Sequence, residues 1–146
     1  MRGSRLDGSD SFSVPTPSDI GFVVPARSGG FVVALRDGLY SLDQASGTFS
    51  RLTDPGYDTN SYLINDGKAD RSGRLWYGTI HDAESVDGGF LYSYSEGRER
   101  LIRGGVTTSN GLGWSPDNSV FYYTDSMAFT IAAYDFDSVS GDIANP

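Results

Sequence analysis

Cysteine is absent from this 146-residue sequence, and lysine and histidine each occur once, as Lys68 and His81. A chain without cysteine forms no disulfide framework, no thiolate nucleophile and no cysteine-ligated zinc site. This composition is compatible with a reducing compartment. We therefore expect a cytoplasmic protein.

Positive charge is also scarce, because 11 Lys and Arg residues stand against 19 Asp and Glu residues and give a net charge of −8. Phosphate backbones repel such a chain, which argues against a nucleic-acid partner. No apolar run approaches the ~20 residues of a membrane span, so we expect no membrane partner either. Residues 1–10 are polar and do not resemble a signal peptide. Their opening Met-Arg-Gly-Ser is typical of a vector-derived leader, and we expect residues 1–10 to be disordered or foreign to the domain.

Glycine and aromatic residues are abundant, with 19 glycines and an aromatic share of 13%. A chain this rich in aromatic residues can bury enough apolar surface to fold, which excludes a disordered protein. Glycine interrupts the sequence too often for long helices, and the longest glycine-free stretch, 114–140, is rich in the Val, Phe, Tyr, Thr and Ile that favour strands. Short apolar segments bounded by turn residues recur at 21–25, 31–35, 39–42, 75–80, 90–94, 120–124 and 131–136. The pattern predicts an all-β fold.

The apolar segments repeat along the chain. Residues 28–32 align with 72–76, and residues 74–77 align with 119–122. A period near 45 residues in an all-β chain is typical of the four-stranded blades of a β-propeller. The sequence therefore predicts three blades, at 18–55, 63–105 and 109–146, within a domain of residues 11–146.

Three blades do not close a ring, because propellers typically have about four to eight. An open half would leave strand edges and apolar faces in water. Residues 11–15 are strand-like, and residues 141–146 stop where the third blade needs its outer strand. We therefore predict that residues 11–15 of one chain act as a closing strand for the third blade of a second chain. Two chains would then form a six-bladed homodimer about a two-fold axis.

Two segments carry specific motifs. The first reads Asn-Asp-Gly-Lys at 65–68 and continues to Thr79, and the second is Ser109–Asp117, followed by 121–126 and 134–137. At this separation the two segments resemble consecutive blades of the regucalcin/gluconolactonase family, also called senescence marker proteins. The resemblance runs from Ser18 to the C-terminus and corresponds to the middle half of a full-length member.

The resemblance implies a six-bladed propeller that holds one divalent cation in its axial channel and hydrolyses sugar lactones and related esters. In the family a Glu, two Asn and an Asp hold the cation, and the two Asn correspond to Asn65 and Asn110. These two residues are the expected metal ligands, with calcium, zinc or magnesium as the ion and a small molecule in the channel. The substrate-binding Arg of the family corresponds to Leu63. Its axial Asp, the expected base, lies outside the region that this chain covers.

The residue chemistry limits this expectation. Ca²⁺ and Mg²⁺ prefer several oxygen ligands that include carboxylates, whereas the amides of Asn65 and Asn110 carry no charge. We therefore expect weak or absent cation binding and a lactone hydrolase that is weak or inactive. The alternative is a non-catalytic small-molecule-binding or structural module. The candidates for a catalytic acid or base are His81 and Asp66, and the candidates for substrate binding are His81, Asp82 and Asp58.

Each candidate also has a structural interpretation. Asn65 and Asn110 precede Asp-Gly or Gly steps that suit tight turns, and Asp66 can serve turn geometry. A lone histidine in a long connection, such as His81 in 81–89, is commonly exposed to solvent. Asp58 can belong to an ordinary loop.

Two further sets of residues have structural interpretations. Trp76 and Trp114 occupy core positions of the repeat, so we expect them to pack between blades. Asp125, Asp135 and Asp137 lie at strand ends, where a carboxylate terminates the ladder and bonds loop amides.

Overall fold

The computed structural model describes residues 1–84 and 87–146, and all regular elements in those residues are β-strands. This confirms the all-β prediction. The strands form three four-stranded antiparallel sheets and one two-stranded pair. Among the described residues, no helix has the length and apolar character that crossing a membrane requires.

The strands of each four-stranded sheet follow one another in chain order. The two-stranded pair comprises β1 (Arg2–Gly3) and β2 (Phe12–Ser13). Sheet 1 comprises β3 (Ile20–Pro25), β4 (Phe31–Leu35), β5 (Gly38–Leu42) and β6 (Phe49–Arg51). Sheet 2 comprises β7 (Tyr62–Ala69), β8 (Leu75–His81), β9 (Gly89–Ser95) and β10 (Arg98–Val106). Sheet 3 comprises β11 (Ser109–Trp114), β12 (Val120–Asp125), β13 (Thr130–Asp137) and β14 (Asp142–Ala144).

The first strand of each four-stranded sheet is an edge strand, and these three edge strands lie on the same side of the molecule. β7 contacts both β3 and β11, so the three first strands run side by side. We call β3, β7 and β11 the inner strands. Residues on them share one side of the molecule, which is where the candidate site is found.

Sheet 2 lies between sheets 1 and 3, and its strand β8 is buried on both faces. Neighbouring residues of a strand point to opposite faces. Tyr77 accordingly packs with Phe22 and Ala34 of sheet 1, whereas Trp76 packs with Phe121 of sheet 3. A strand buried on both faces has apolar residues in consecutive positions, as Leu75, Trp76 and Tyr77 are at the start of β8.

The expected packing of the two tryptophans between sheets is confirmed. Trp76 is fully buried, and its ring centroid lies 6.0 Å from that of Trp114 in an edge-on arrangement. Phe121 lies against both rings, with centroids 4.8 Å from Trp76 and 5.1 Å from Trp114. The spacing of the tryptophans in the sequence therefore reflects one shared aromatic cluster.

Glycine allows sheets 2 and 3 to approach closely. A Cβ on Gly78 would lie 1.8 Å from the Ser109 Oγ, far inside contact distance. Ser109 is the first residue of β11 and is fully buried. The absence of a side chain at residue 78 thus sets how near the third inner strand lies to sheet 2.

The N-terminal pair of strands covers the outer face of sheet 1. Val14, next to β2, packs with Val33, Leu35 and Leu42. Gly3, within the segment 1–10, pairs with Phe12. In this chain β2 therefore pairs with β1, and no strand from residues 11–15 joins sheet 3.

Sheet 3 has an outer strand of its own. Phe136 pairs with Ile143 in the antiparallel ladder between β13 and β14. The expectation that the third sheet lacks this strand is wrong. Asp137 accepts hydrogen bonds from the Val139 and Ser140 amides and so shapes the turn that returns the chain to β14.

Candidate functional site

The inner strands β7 and β11 each carry a register irregularity, and the two differ in position by one residue of the repeat. Asn65 is the extra residue that follows Ile64 in β7, and Gly111 is the extra residue that follows Asn110 in β11. A bulge re-aims the side chains beside it. The corresponding residue of β3 is Gly21, where a Cβ would lie 2.3 Å from the Ile64 carbonyl oxygen. Two of the three inner strands thus place an asparagine at this point, and the third can hold only glycine.

Asn65 and Asn110 lie on adjacent inner strands and are held by hydrogen bonds. The Asn65 Nδ2 donates to the Ser109 carbonyl oxygen at 2.8 Å, directly beside Asn110. The Asn110 Nδ2 donates to the Ser126 Oγ at 3.2 Å, and its Oδ1 accepts from the Gly111 amide at 3.1 Å. Both asparagines belong to strands, so the interpretation as tight-turn residues is wrong.

Asp66 connects two inner strands. Its Oδ1 accepts a hydrogen bond from the Gly67 amide at 2.8 Å, and its Oδ2 accepts one from the Gly111 amide at 2.9 Å. Both carboxylate oxygens therefore already have donors. In this arrangement Asp66 fixes the spacing between β7 and β11 beside the two asparagines.

His81 ends β8 at the same end of sheet 2 as the start of β7. Its ring stands edge-on to Tyr62, with centroids 4.9 Å apart, and its Nδ1 accepts a hydrogen bond from the Ala83 amide at 3.0 Å. An accepting Nδ1 carries no proton, so in this arrangement a proton on the ring sits on Nε2. Of the predicted 81–89 connection, residues 85 and 86 lie outside the described residues.

Asp82 forms an ion pair with Arg36 that joins sheet 2 to sheet 1. The Arg36 Nη2 lies 2.5 Å from the Asp82 Oδ2, and its Nη1 donates to the Oδ1 at 3.0 Å. The two-pronged geometry matches the fork of a guanidinium to a carboxylate. Asp82 is therefore committed to Arg36 in this structure.

Asp58 shapes the turn that precedes β7. Its Oδ1 accepts from the Asn60 amide at 3.0 Å, and its Oδ2 accepts from the Ser61 Oγ at 3.0 Å. These donors favour the ionised form and lower the pKa of Asp58, with the Asn60 amide as the largest cause. The carboxylate is exposed and points into its own turn, as the loop interpretation expects.

Asp125 is a buried carboxylate beside Asn110. It accepts hydrogen bonds from three backbone amides, those of Thr107, Thr108 and Ala128. The expected bonding of loop amides by this strand-end aspartate is confirmed. Its place next to the site was not foreseen, although the hairpin register that pairs Ser109 with Asp125 would have indicated it.

A half-buried carboxyl group, Glu99, was missed by the sequence analysis. The Tyr77 hydroxyl donates to the Glu99 Oε2, and burial is the main cause of a raised pKa for Glu99. Burial also raises the pKa of Tyr92 to about 12, with a contribution from the charge of Glu99. This cluster lies between sheets 1 and 2, away from the inner asparagines. Its members are far apart in sequence, so no local motif points to it.

The described residues supply only part of a cation site. Among residues 1–84 and 87–146, no group of three or more His, Cys, Asp or Glu side chains could hold a metal ion. Near the inner strands the oxygens on offer are the carboxamides of Asn65 and Asn110 and the lone pairs that the two amide donors of Asp66 leave free. Two carboxamides and one carboxylate do not complete the shell of a hard divalent cation, which takes about six to eight oxygens for calcium.

Comparison with known proteins places this arrangement in a family. The SMP-30/Gluconolactonase/LRE-like region matches residues 3–146. A 6-deoxy-6-sulfogluconolactonase of Pseudomonas putida is 36% identical over 137 residues, which cover 91% of this chain and 47% of the relative. A regucalcin of Danio rerio is 34% identical over 138 residues, covering 91% of this chain and 46% of the relative.

A solved structure shows the same fold. The calcium-binding protein regucalcin from Agrobacterium tumefaciens superposes with a TM-score of 0.90 at 21% identity, over 99% of this chain and 49% of that one. This chain therefore spans about half the length of the relatives that it matches. With residues 3–146 matched, it belongs to the SMP-30/gluconolactonase/LRE-like family.

Proposed function

We propose that the three sheets form half of a six-bladed β-propeller and carry part of a lactone-hydrolase site of the gluconolactonase/regucalcin kind. The observation that supports this proposal is the pair Asn65 and Asn110, placed on adjacent inner strands that each carry a bulge. The name of the Pseudomonas putida relative indicates a sugar-acid lactone as the substrate class.

The residue set of this chain favours weak or absent hydrolysis. Lactone hydrolysis needs a group that stabilises the developing oxyanion and a base that activates water. A divalent cation, when bound, supplies a Lewis acid for the carbonyl oxygen. Asn65 and Asn110 are the neutral ligands that this chain would contribute, and Asp66 is the carboxylate beside them. The candidates for the base are His81 and Asp66, of which Asp66 is engaged by two backbone amides.

A second function is a binding or structural module without catalysis. The observation in its favour is that the acidic candidates are engaged by protein donors. Asp82 is paired with Arg36, Asp58 caps its own turn, and Asp66 links β7 to β11. Carboxylates held in this way stabilise the loops and strands around them, which is the role expected in a structural module.

We also propose that a second copy of the chain covers the outer face of sheet 3. Tyr122 and Ile131 lie on that face and are 43% and 75% exposed. Asp135 and Asp137 are exposed on the same face, because they alternate with the buried Phe136. The N-terminal pair lies at the other end of the molecule, where Arg5 is paired with Asp10, so the exposed apolar side chains of sheet 3, and not opposite charges, support the proposed contact. A homodimer that joins these two ends would close a six-bladed ring around the inner strands.

A metal panel with a turnover assay tests the proposed activity. If Ca²⁺, Mg²⁺, Mn²⁺ or Zn²⁺ binds, it raises the melting temperature by mass action. We expect such a rise to be small and to be abolished in Asn65→Ala and Asn110→Ala. Asn145→Ala is the matched control, because Asn145 follows the outer strand β14 and its Nδ2 donates to the Asp135 Oδ2. If no ion shifts the melting temperature and gluconolactone is not hydrolysed, the non-catalytic module is the correct function.

Light scattering tests the proposed dimer. We expect twice the mass of a single chain at micromolar concentration, and a lower mass for Ile131→Arg, which places a charge on the outer face of sheet 3. Thr130→Arg is the control because it adds the same charge at the neighbouring residue of β13, which points to the opposite face. A single-chain mass for the unmodified protein would contradict the dimer.

A further inference from the structure

The carboxylate of Asp125 joins two connections of sheet 3. Asp125 is only 9% exposed. Its Oδ2 accepts from the Thr107 amide at 2.8 Å, and its Oδ1 accepts from the Thr108 amide at 2.9 Å and the Ala128 amide at 3.3 Å. One side chain therefore holds both the segment that enters β11 and the turn that leaves β12.

The turn that follows Asp125 contacts Asn110 directly. The Ser126 amide donates to the Thr108 carbonyl oxygen at 3.0 Å, and the Ser126 Oγ accepts from the Asn110 Nδ2 at 3.2 Å. The turn is closed by a hydrogen bond from the Phe129 amide to the Ser126 carbonyl oxygen at 3.2 Å. Phe129 has φ of 55°, a left-handed conformation that a side chain rarely adopts without support.

We propose that Asp125 is the positioning residue of the site, acting on Asn110 through Ser126. This inference rests on the proposed function, in which Asn110 faces the ligand. A hydrogen bond from the nitrogen of an amide side chain fixes the orientation of the whole planar group. It therefore also fixes the direction of the amide oxygen. By holding Ser126 in place, Asp125 keeps the Asn110 Nδ2 on the protein side and orients the Oδ1 relative to Asn65. Ligand-orienting groups of this kind stand behind the residues that touch the ligand.

The geometry separates Asp125 from Asp137, the other aspartate that ends a strand. The expectation that Asp135 also lies at a strand end is wrong, because it lies within β13 and accepts from the Asn145 side chain. Asp137 also accepts two loop amides, from Val139 at 2.8 Å and Ser140 at 3.4 Å, but it lies at the opposite end of β13. Asp137 caps its own turn in the same way, but that turn is not the one whose Ser126 binds Asn110. Asp137→Ala is therefore a matched control for the loss of a capping carboxylate.

Nuclear magnetic resonance of the side-chain amides tests the positioning without any ligand. In Asp125→Ala and Ser126→Ala we expect the Asn110 amide pair to shift to the position of an unrestrained asparagine, with the Asn65 pair much less affected. Asp125→Asn keeps one acceptor oxygen, so we expect a smaller shift. Asp137→Ala should leave both pairs unchanged. If Asp125→Ala does not fold, Asp125→Asn and Ser126→Ala decide the question.

A CaCl₂ titration separates this inference from the proposed function. If the unmodified protein binds Ca²⁺, we expect Asp125→Ala to weaken the apparent affinity about 10- to 100-fold and Asp125→Asn to restore part of it. If the unmodified protein does not bind Ca²⁺, the cation part of the proposed function fails while the amide spectra still decide the positioning. A folded Asp125 variant whose Asn110 signals stay at their original place would overturn the inference.

Discussion

The two interfaces between neighbouring sheets use the same repeat with different chemistry. Between sheets 2 and 3 the rings of Trp76, Trp114 and Phe121 form an aromatic cluster whose members touch one another. Between sheets 1 and 2 Phe22 lies against Tyr77, and Tyr77 and Tyr92 stack with centroids 5.5 Å apart beside the carboxyl group of Glu99. Both interfaces gain stability from apolar burial, but the one between sheets 1 and 2 also contains a half-buried acid that is hydrogen-bonded to Tyr77.

Arginines of sheet 2 reinforce the interface with sheet 3. The Arg71 Nη1 donates to the Pro116 carbonyl oxygen at 2.6 Å, and the Arg74 Nη2 donates to that of Val139 at 3.1 Å. Arg74 is itself held by Asp70, whose carboxylate also accepts from the Trp76 Nε1 at 3.2 Å. The buried acid at this interface therefore has a cation beside it, and the comparison predicts that pH affects mainly the interface between sheets 1 and 2.

Removing the central tryptophan should have the largest effect. Trp76→Ala deletes a fully buried ring, and such truncations cost about 3–5 kcal/mol in the free energy of unfolding. Tyr77→Phe, its neighbour on the opposite face, removes only a hydroxyl and should cost roughly 1 kcal/mol. Urea denaturation followed by circular dichroism measures both. Equal losses would show that the two interfaces do not differ as described.

Adding one methyl group at the close approach of sheets 2 and 3 should have an intermediate effect. Gly78→Ala places a Cβ against Ser109, and overpacking of this kind costs about 1–3 kcal/mol. Gly113→Ala is the control, because nothing lies within 4 Å of its Cβ position and its φ is not left-handed. The melting temperatures of the two variants give the measurement. A drop of the same size for Gly113→Ala would mean that strand propensity, not the contact with Ser109, is responsible.

Neutralising Glu99 should have the smallest effect and the opposite sign. Burial raises the pKa of Glu99, so the folded state binds the proton more tightly than the unfolded state. The stability that this tighter proton binding contributes is fully present below the ordinary glutamate pKa. It is lost as the pH rises through the raised pKa of Glu99 in the folded state. Glu99→Gln removes that loss and should stabilise the protein at neutral pH by at most about 1 kcal/mol, since solvent screens a half-buried group.

The pH dependence of the Glu99 variant checks the sign. The stabilisation should shrink as the pH falls below the raised pKa and vanish in acid. Unfolding free energies of both proteins at several pH values, measured in urea, give the difference directly. A gain that is independent of pH would assign the effect to packing of the amide and not to the charge of the carboxyl group.

Local patterns were enough to predict the strands and the repeat. The apolar runs 31–35 and 75–80 became the buried strands β4 and β8, and the spacing of Trp76 and Trp114 indicated the aromatic cluster. The Asn-Asp-Gly-Lys motif indicated Asn65. The outer strand β14 was not foreseen, because a strand of three residues is too short to show an alternating pattern.

The hydrogen-bond and ion-pair partners of the charged candidate residues could not be predicted. Asp82 sits beside His81 in the sequence, but its partner Arg36 is supplied by another sheet. Asp66 likewise binds an amide of β11, far along the chain. Whether a carboxylate is free or occupied depends on which segments meet, and no local pattern contains that information.

The sequence by itself determined the strand composition and the period of the repeat, which follow from the alternation and turn chemistry that each short segment carries within itself. The two asparagines of the inner strands were indicated by the resemblance to a known family, because turn chemistry alone pointed to tight turns. Only the tertiary structure decided that Asp66 bridges two strands, that Asp125 holds the turn beside Asn110, and that Glu99 is enclosed by tyrosines. Each of these depends on residues from separate segments that meet only when the sheets pack against one another.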